Sequence, residues 1–412
     1  MPVPTPFHAR TSALCKSYSW REWAGYHAVS TYEVHHGSEY EAIRHSAGLL
    51  DVTPLFKYDV RGKDAARLLH RVMTRSVTKL TVGGVGYGGW CDEKGLMMDD
   101  GTVSRLGEDH YRLTANGPNQ RWLEGAAAGM DVKIEDTSER IAALALQGPT
   151  SRATLKDCCD ADLDGLKFFR LTTTKIAGKP VTISRTGYTG DLGYEIWMEN
   201  GDALPVWDAI MAAGQKHGIY PVGILALDMA RLEAGLILAG VDYIGARHAL
   251  TRNQACTPFE AGLGWTVDFK DHAFIGRQAL VEQKNAGVPR SIVGLVIEWE
   301  PLERLYDSAG IPPQLPCSTW RAAVPVYAGR SQVGRATSGV WSPILKQNLA
   351  LATVEAPHDQ VGSVVKIEVT VDWKRHAVPA RVTKIPFYDP PRKKSVVTAK
   401  SAISSDRKIA VM

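Results

Sequence analysis

The segment from Arg185 to Glu195 constrains the fold of this chain more than any other part of its sequence. Its residues, Arg-Thr-Gly-Tyr-Thr-Gly-Asp-Leu-Gly-Tyr-Glu, include three glycines and one aspartate among eleven positions. Glycine adopts backbone conformations that other residues resist, so this segment can fold into a tight loop. A carboxylate that is fixed where such a loop enters the apolar run 196–198 can accept two hydrogen bonds from a flat ring bearing N–H groups. A plain hairpin turn is the alternative interpretation.

The composition excludes several classes of protein. The chain has 412 residues, of which 44% are hydrophobic and 22% are charged, as is usual for a globular protein of two or three domains. We find no apolar run of about 18 residues that could span a membrane and no secretory signal at the N-terminus. We therefore expect a cytoplasmic protein that makes no membrane contact.

The net charge of +4 comes from one end of the chain. Residues 392–412 contain six basic residues and the single acid Asp406, so this segment carries +5 and the rest carries −1. Short basic segments rich in Ser and Lys are usually solvated, and we expect a flexible tail. Because the body shows no basic clustering, we expect no nucleic-acid partner.

The cysteines, histidines and glycines argue against three common kinds of site. The six cysteines show no C-x-x-C spacing and the twelve histidines no H-E-x-x-H pair, so we expect neither a metal nor a disulfide framework. Residues 84–89 match G-x-G-x-x-G. The residues that follow, 90–95, suit a strand and a turn rather than the helix that a dinucleotide site requires.

Helical and strand patterns alternate through the first part of the chain. Apolar spacing predicts helices over residues 38–49, 63–73, 203–217 and 225–239. From about residue 290 the pattern changes, and short β-rich runs alternate with Gly and Pro turns. This change predicts a compact β domain, with strands over residues 291–297, 349–354 and 364–371.

The loop at 185–195 resembles the folate-binding loop of the aminomethyltransferase family, which includes the T-protein of glycine cleavage and tetrahydrofolate-dependent demethylases. Other segments resemble the family in the same order along about 300 residues. They are Ala47–Thr53, Gly95–Asp100, Leu144–Pro149, Ala230–Gly235, Thr257–Trp265, Phe274–Leu280 and Val333–Pro343. Together these matches make the resemblance specific.

The resemblance implies an α+β fold in three parts around a central folate channel. Residues 1–285 would form a folate-binding α/β region of two intertwined subdomains, with about 52–140 inserted into the other. Residues 286–391 would form a C-terminal β-barrel domain, and 392–412 would be the tail. The resemblance also implies tetrahydrofolate as the one-carbon acceptor.

The resemblance assigns Asp100 as the catalytic carboxylate. Asp99 and Asp100 precede Gly101, an arrangement that otherwise suits a solvated turn. The N5 atom of tetrahydrofolate is a weak amine nucleophile. A buried carboxylate can orient it, stabilise positive charge during transfer and carry a raised pKa.

The resemblance assigns two residues to the pterin ring. Tyr188 would contact it by its aromatic face and Glu195 by paired hydrogen bonds, while Phe168 would border the same pocket. Core packing is the alternative for Phe168.

Three more residues are assigned to folate by resemblance: Tyr87, Asn116 and Arg231. Tyr87 could instead be a strand residue that covers the core, and Asn116 could be a turn residue. An ion pair with Asp228 or Glu233 is the alternative for Arg231.

Departures from the glycine-cleavage pattern lie where the one-carbon donor should enter. Leu227 stands where those members carry Arg, and their Asp-Val-Ser-His-Met-Gly becomes Asp51-Val-Thr-Pro-Leu-Phe56. We expect Leu55, Phe56 and Trp90 to line an apolar entrance that suits a flat aromatic donor. The alternative is that they only fill the core.

The expected reaction moves a methyl or methylene group from an aromatic ether to tetrahydrofolate, giving a phenol and 5-methyl- or 5,10-methylene-tetrahydrofolate. The alternatives are a glycine-cleavage aminomethyltransferase, which needs a lipoyl carrier protein, and a demethylase of a small sulfonium or N-methyl compound. Asp100 argues against a non-catalytic folate-binding protein. For the acid that protonates the leaving group, side-chain chemistry offers Lys57, Tyr58 and His248.

Overall fold

The computed structural model describes residues 1–270 and 272–396. Its helices are α1 (His8–Leu14), α2 (Gly37–His45), α3 (Ala65–Val72), α4 (Gln120–Ala126), α5 (Ser151–Lys156), α6 (Ala203–Gly214), α7 (Ile224–Glu233), α8 (Arg277–Ala286) and α9 (Trp299–Ala309). Short 3₁₀ helices lie at Asn200–Asp202, Gln215–His217, Gly264–Thr266 and Pro391–Lys393.

The strands fall into four sheets. They are β1 (Ser19–Trp23), β2 (Tyr26–Thr31), β3 (Ala47–Asp51), β4 (Phe56–Arg61), β5 (Val85–Cys91), β6 (Met97–Arg105), β7 (His110–Ala115), β8 (Lys133–Asp136), β9 (Ile141–Gln147), β10 (Leu171–Ile176), β11 (Lys179–Ser184), β12 (Gly193–Glu199), β13 (Ile219–Pro221), β14 (Arg290–Ile297), β15 (Val324–Ala328), β16 (Ser331–Ser342), β17 (Gln347–Glu355), β18 (Val364–Val371) and β19 (Lys374–Thr383). β1 and β2 form a separate hairpin.

The first subdomain is built on a six-stranded sheet in the order β10-β11-β12-β9-β3-β13. All seven residues of β9 are buried, as expected for a central strand that is covered on both faces. The segment between β11 and β12 contains the glycine-rich loop, so this loop lies at one end of two neighbouring strands.

The second subdomain is a five-stranded sheet in the order β5-β6-β7-β4-β8. Its strands lie between residues 56 and 136, between β3 and β9 of the first sheet. α3 places Leu68, Leu69 and Val72 on this sheet, in one buried cluster with Tyr58 and Trp90. The apolar spacing that predicted a helix over 63–73 therefore marked its buried face.

The C-terminal domain is a closed barrel in the order β14-β17-β16-β15-β18-β19. β14 closes it by pairing with both β17 and β19. α9 follows β14 and was missed from the sequence; Leu302 and Tyr306, four residues apart, pack it into the barrel cluster. The predicted α+β fold with a C-terminal barrel is confirmed.

Two predicted helices end earlier than expected. The helix predicted over 38–49 ends at His45, because β3 begins at Ala47. The helix predicted over 225–239 ends at Glu233, and Gly235 follows with a φ of +64°. Glycine tolerates this left-handed conformation and commonly follows a helix C-terminus.

The start of the expected flexible tail is bound to the folded body. Arg392 donates to Asp191, and the carbonyl groups of Arg392, Lys393 and Ser395 accept from Arg185. Residues 397–412 of the predicted tail lie outside the described residues. Within the described residues, no helix has the length and apolar character to cross a membrane.

Candidate functional site

Asp99 is held by a dense set of hydrogen bonds near the start of β6. Its carboxylate accepts the backbone N–H of Asp100 at 2.8 Å and of Gly117 at 3.0 Å. It also accepts side-chain amide hydrogens from Asn116 at 3.0 Å and Asn119 at 2.9 Å. Both oxygens are therefore committed to fixing the turn after β7.

Asp100 is buried and accepts hydroxyl groups on both of its carboxylate oxygens. Tyr87 donates to Oδ2 at 2.8 Å, Tyr243 donates to Oδ1, and Asn116 donates to Oδ1 at 3.2 Å. Burial, together with the charge of Asp99, raises the pKa of Asp100 to about 6. A carboxylate with this pKa can take up and release a proton near neutral pH.

Tyr243 is a site residue that sequence reasoning missed. Its side chain is 2% exposed, although it lies 143 positions from Asp100 in the chain. Burial and the neighbouring Asp100 raise the pKa of Tyr243 well above its ordinary value, so it stays a proton donor. No sequence motif pointed to Tyr243, because its contact with Asp100 joins segments that are distant in the chain.

The three acids considered from side-chain chemistry lie elsewhere. Tyr58 is buried and its hydroxyl accepts the backbone N–H of Asn119 at 2.8 Å. Lys57 is buried, donates to the carbonyl of Thr53, and has its pKa lowered to about 7 by burial. His248 is exposed. In the described structure it is the hydroxyls of Tyr87 and Tyr243 that reach Asp100.

The glycines of the 185–195 loop are required by close packing. A Cβ at Gly187 or Gly193 would lie 2.0 or 2.2 Å from Oε1 of Gln147, which fills the space beneath the loop. Gly190 has a φ of +76°, and a Cβ there would lie 2.5 Å from Ala234. Any larger side chain would displace the loop from the sheet.

The two predicted pterin contacts lie on this loop and on the strand it enters. Tyr188 is partly buried and donates its hydroxyl to the carbonyl of Ile237. Glu195 is partly buried and accepts the hydroxyl of Thr186 at 2.6 Å. Burial raises the pKa of Glu195, because desolvation disfavours the charged carboxylate.

Arg231 is held by two buried carboxylates. It is 1% exposed and pairs with Asp228 at 2.7 Å and with Asp242 at 2.5 Å, whereas Glu233 pairs with Arg44. Burial opposes the charge, but the two carboxylates outweigh it and raise the pKa of Arg231. Nη2 has no hydrogen-bond partner among the described residues. The ion-pair interpretation is therefore right in part, and one buried nitrogen remains for an acceptor.

The predicted donor entrance is only partly supported by position. Leu55 and Phe56 are partly buried at the junction of two clusters. Trp90 is fully buried in the core of the second subdomain, and its indole N–H donates to Asn119 at 3.3 Å. The structure therefore does not bring Trp90 to an entrance, because strand alternation turns this side chain toward α3.

Two of the predicted site residues, Phe168 and Tyr87, each lie close to another aromatic ring. Phe168 packs edge-on against Phe169 with ring centroids 4.6 Å apart. Trp265 was quoted in a motif but given no role; its side chain is 67% exposed and its ring lies 6.2 Å from that of Tyr87. Asn116, Tyr87 and Asp100 are in direct contact, whereas Glu195 and Phe168 lie around the glycine-rich loop.

Family comparison identifies the two folded regions. Residues 7–271 match the GCVT N-terminal domain, and residues 310–389 match the glycine cleavage T-protein C-terminal barrel domain. The chain belongs to the glycine-cleavage T-protein family. Members of this family use tetrahydrofolate as the one-carbon acceptor, so the predicted family and cofactor are confirmed, and the chain is placed among folate-dependent transferases.

Three relatives in this T-protein family illustrate its range. An aminomethyltransferase of Bacillus subtilis is 38% identical over 85% of this chain and 90% of its own length. A trimethylamine-oxide aldolase of Ruegeria pomeroyi is 38% identical over 85% of this chain but 43% of its own length. The crystal structure of the glycine cleavage system aminomethyltransferase T from Bartonella henselae superposes with a TM-score of 0.79, at 25% identity, covering 94% of this chain and 99% of its own.

Proposed function

We propose that the chain transfers a methyl or methylene group from an aromatic ether to tetrahydrofolate, releasing a phenol. The observation that carries this proposal is the hydrogen bond from the buried hydroxyl of Tyr243 to Asp100. It places a protonated oxygen acid beside the carboxylate that resemblance assigns to the reaction centre. Asp100 then has a neighbouring proton donor and a raised pKa, so that it can accept a proton and release it again.

An oxygen leaving group needs this acid more than a sulfur leaving group does. A departing thiolate is stable near neutral pH because free thiols have a pKa near 8.5, whereas an aryl oxide has a pKa close to that of tyrosine, about 10. A hydroxyl that donates a proton as the carbon–oxygen bond breaks contributes about 10²- to 10⁴-fold. Tyr243 is the group we assign to this role.

The proton balance can be closed by this chain's own residues. Bound tetrahydrofolate supplies the N5 atom that takes up the one-carbon unit. In methyl transfer, Asp100 would accept the proton that N5 loses and pass it through the Tyr243–Asp100 hydrogen bond, as Tyr243 gives its own proton to the ether oxygen. In methylene transfer, N5 and N10 each lose a proton and the two ether oxygens each gain one, so the same relay would operate twice. No oxidant enters, because the one-carbon unit keeps its oxidation level.

One gap in the hydrogen bonding near the loop supports the assignment of Arg231 to tetrahydrofolate. Nη2 of Arg231 is buried without a partner among the described residues, which is costly for a charged group. We propose that Arg231 donates to folate while Tyr188 and Glu195 hold the pterin. Asn116 and Tyr87 would orient Asp100, and Phe168 would close the pocket edge.

The donor class rests on Leu55, Phe56 and Tyr243, and no longer on Trp90. Pro54 and these two apolar residues replace the His-Met-Gly of the glycine-cleavage pattern, and they lie partly buried where the two subdomains meet. An apolar lining favours a flat ring over a small cation.

The second candidate is a glycine-cleavage aminomethyltransferase, which acts with a lipoyl carrier protein. It is favoured by the 38% identity to the Bacillus subtilis aminomethyltransferase across 90% of that protein. A third candidate is the transfer of a one-carbon unit from a small N-methyl or sulfonium compound. The trimethylamine-oxide aldolase relative supports it, although this chain covers 43% of that protein.

The test is incubation of the full chain with tetrahydrofolate and separate donors under anaerobic conditions, followed by mass spectrometry of the folate. The donors are methoxybenzenes, methylenedioxybenzenes, N-methyl and sulfonium compounds, and an aminomethylated lipoyl carrier protein. With a free aromatic ether as donor and no carrier protein, we expect the mass of the folate to rise by that of the transferred one-carbon unit. Transfer from the lipoyl carrier alone, with none from the aromatic panel, would overturn the proposal in favour of the second candidate.

A further inference from the structure

The chain does not end at the barrel but returns to the first subdomain. We call residues 384–395, which follow β19, the clasp segment. The backbone N–H of Tyr388 donates to the carbonyl of Glu233 at 2.9 Å. A Cβ at Gly235 would lie 2.7 Å from Ile385, and one at Gly294 would lie 2.7 Å from Phe387. The segment is therefore seated closely against both domains.

One ion pair joins the clasp segment to the glycine-rich loop. Nε and Nη2 of Arg392 donate to the two oxygens of Asp191 at 2.7 and 2.8 Å. The Asp191 side chain is fully buried, and the same carboxylate accepts the hydroxyl of Tyr388 at 3.3 Å. A two-point pair of this kind fixes orientation as well as distance.

A second contact holds the other end of the loop. Arg185 is fully buried, and its Nη2 donates to the carbonyls of Arg392, Lys393 and Ser395 at 3.2, 3.0 and 2.7 Å. The clasp segment is thus hydrogen-bonded to the loop at residue 185 and at residue 191. Tyr188 lies between these two points, and Glu195 lies four residues beyond the second.

We propose that the clasp segment positions the glycine-rich loop for folate binding and that Arg392 is its principal positioning residue. This inference rests on the proposed assignment of Tyr188 and Glu195 to the pterin. Arg392 acts through Asp191. Its loss should loosen the loop, lower the fraction of molecules in the binding conformation and weaken folate binding in proportion.

The coupling must be reciprocal. If the clasp favours folate binding, bound folate must favour the closed clasp by the same factor, and such couplings usually span about 5- to 150-fold. We expect Arg392→Gln to raise the Kd for tetrahydrofolate about tenfold. Turnover at saturating folate should change by less than about twofold, because the loop is then filled and held by the ligand.

The experiment compares full-length variants by calorimetric titration with tetrahydrofolate and by initial rates. Arg392→Lys keeps the charge but not the two-point geometry and should fall between wild type and Arg392→Gln. Lys394→Gln is the matched control, since Lys394 is 60% exposed and pairs at 3.2 Å with the partly exposed Asp389. Its affinity should equal that of the wild type. Asp191→Asn combined with Arg392→Gln should be no weaker than the worse single variant.

The outcomes separate three explanations. Wild-type affinity in Arg392→Gln would overturn the clasp proposal while leaving the folate site intact. A fall in kcat and melting temperature with unchanged KM, in both Arg392 variants, would assign the segment a structural role and also overturn it. Failure of the wild type to bind tetrahydrofolate would instead overturn the assignment of the loop to folate, and the clasp proposal with it.

Discussion

Asp99 and Asp100 are adjacent on β6, yet their environments give them different roles. Asp99 accepts two backbone N–H groups and two side-chain amides, all of them groups that fix the backbone. Asp100 accepts hydrogen bonds from two phenolic hydroxyls, which can exchange protons with it. The strand turns successive side chains to opposite faces, so one carboxylate serves the turn and the other faces the proposed site.

Substitution should separate these two roles. Asp100→Ala should abolish turnover while tetrahydrofolate affinity stays within about tenfold, because the pterin contacts lie on the other subdomain. Asp99→Ala should lower the free energy of unfolding by about 2–4 kcal/mol, since it leaves several buried donors without an acceptor. Denaturant melts and calorimetry measure both. A catalytic loss at position 99 without loss of stability would contradict this division.

The raised pKa of Asp100 makes a signed prediction about pH. Its carboxyl has a pKa of about 6 in the fold and near 4 when unfolded, so its stabilising contribution is complete below pH 4 and is lost as the pH rises through 6. The stability of Asp100→Asn relative to wild type should therefore improve by up to about 3 kcal/mol between pH 4 and pH 8.

Asp208→Asn provides the control for this measurement. The hydrogen bond from Arg10 lowers the pKa of Asp208, so its titration lies below pH 4 and its stability difference should stay constant from pH 5 to pH 8. Urea denaturation at each pH gives both differences. A constant difference for Asp100→Asn over the same range would show that its carboxyl is not perturbed.

Tyr243 gives the sharpest test of the proposed leaving-group chemistry. Tyr243→Phe keeps the ring and removes the proton, so turnover of an aromatic ether should fall about 10²- to 10⁴-fold. Tyr306→Phe, which removes a hydroxyl bonded to Gln314 in the barrel domain, should leave the rate unchanged. Stopped-time assays of phenol release measure the effect. Equal rates for Tyr243→Phe and wild type would remove Tyr243 from the mechanism.

At the scale of elements, the loop and β12 act as one unit. The loop can lie against the sheet because Gly187 and Gly193 leave room for Gln147. β12 then pairs with β9 and β11, so Glu195 is held on a strand with neighbours on both sides. A carboxylate on such a strand loses little orientational freedom when a ligand binds.

Glu195→Gln should weaken tetrahydrofolate binding by about 1.5–3 kcal/mol, because a charged acceptor becomes a neutral amide. Glu199→Gln is the matched control on the same strand, because the Glu199 side chain is exposed. This variant should bind folate with the affinity of the wild type. Calorimetric titration of the folded variants with tetrahydrofolate measures both affinities. Unchanged affinity in Glu195→Gln would argue against a pterin contact there.

At the scale of the whole molecule, Asp242 joins the parts. It pairs with Arg231 at 2.5 Å, and its other oxygen accepts hydroxyls from Thr337 and Ser338 of the barrel at 2.6 and 2.8 Å. The next residue, Tyr243, reaches Asp100 in the second subdomain. The consecutive residues Asp242 and Tyr243 therefore contact the barrel, the first subdomain and the second subdomain.

Asp242→Asn should destabilise the chain by about 3–5 kcal/mol, because it leaves the buried Arg231 short of a counter-charge. Asp389→Asn, which removes the partner of the exposed Lys394, should cost less than about 1 kcal/mol. Thermal or urea unfolding measures both. Equal small losses would mean that the Arg231–Asp242 pair does not hold the domains together.

The sequence by itself predicted several helices and strands, and its resemblance to the T-protein family implied the α+β fold with a C-terminal barrel. Period-two and helical patterns located α3, β14 and β18 because burial follows these periods. The glycine-rich loop and the Asp99–Asp100 pair are local motifs, so they could be recognised without a structure. The resemblance to the family then assigned Glu195 to the pterin and Asp100 to catalysis, and both assignments stay predictions.

The tertiary structure decided which of these residues meet and which face inward. Tyr243 reaches Asp100 across 143 positions, Trp90 lies in the core rather than at an entrance, and Arg392 binds Asp191 instead of remaining in a solvated tail. Side-chain periodicity states only whether a residue is buried. Contacts between distant segments depend on how the sheets and the barrel pack, and the sequence pattern carries no distance between them.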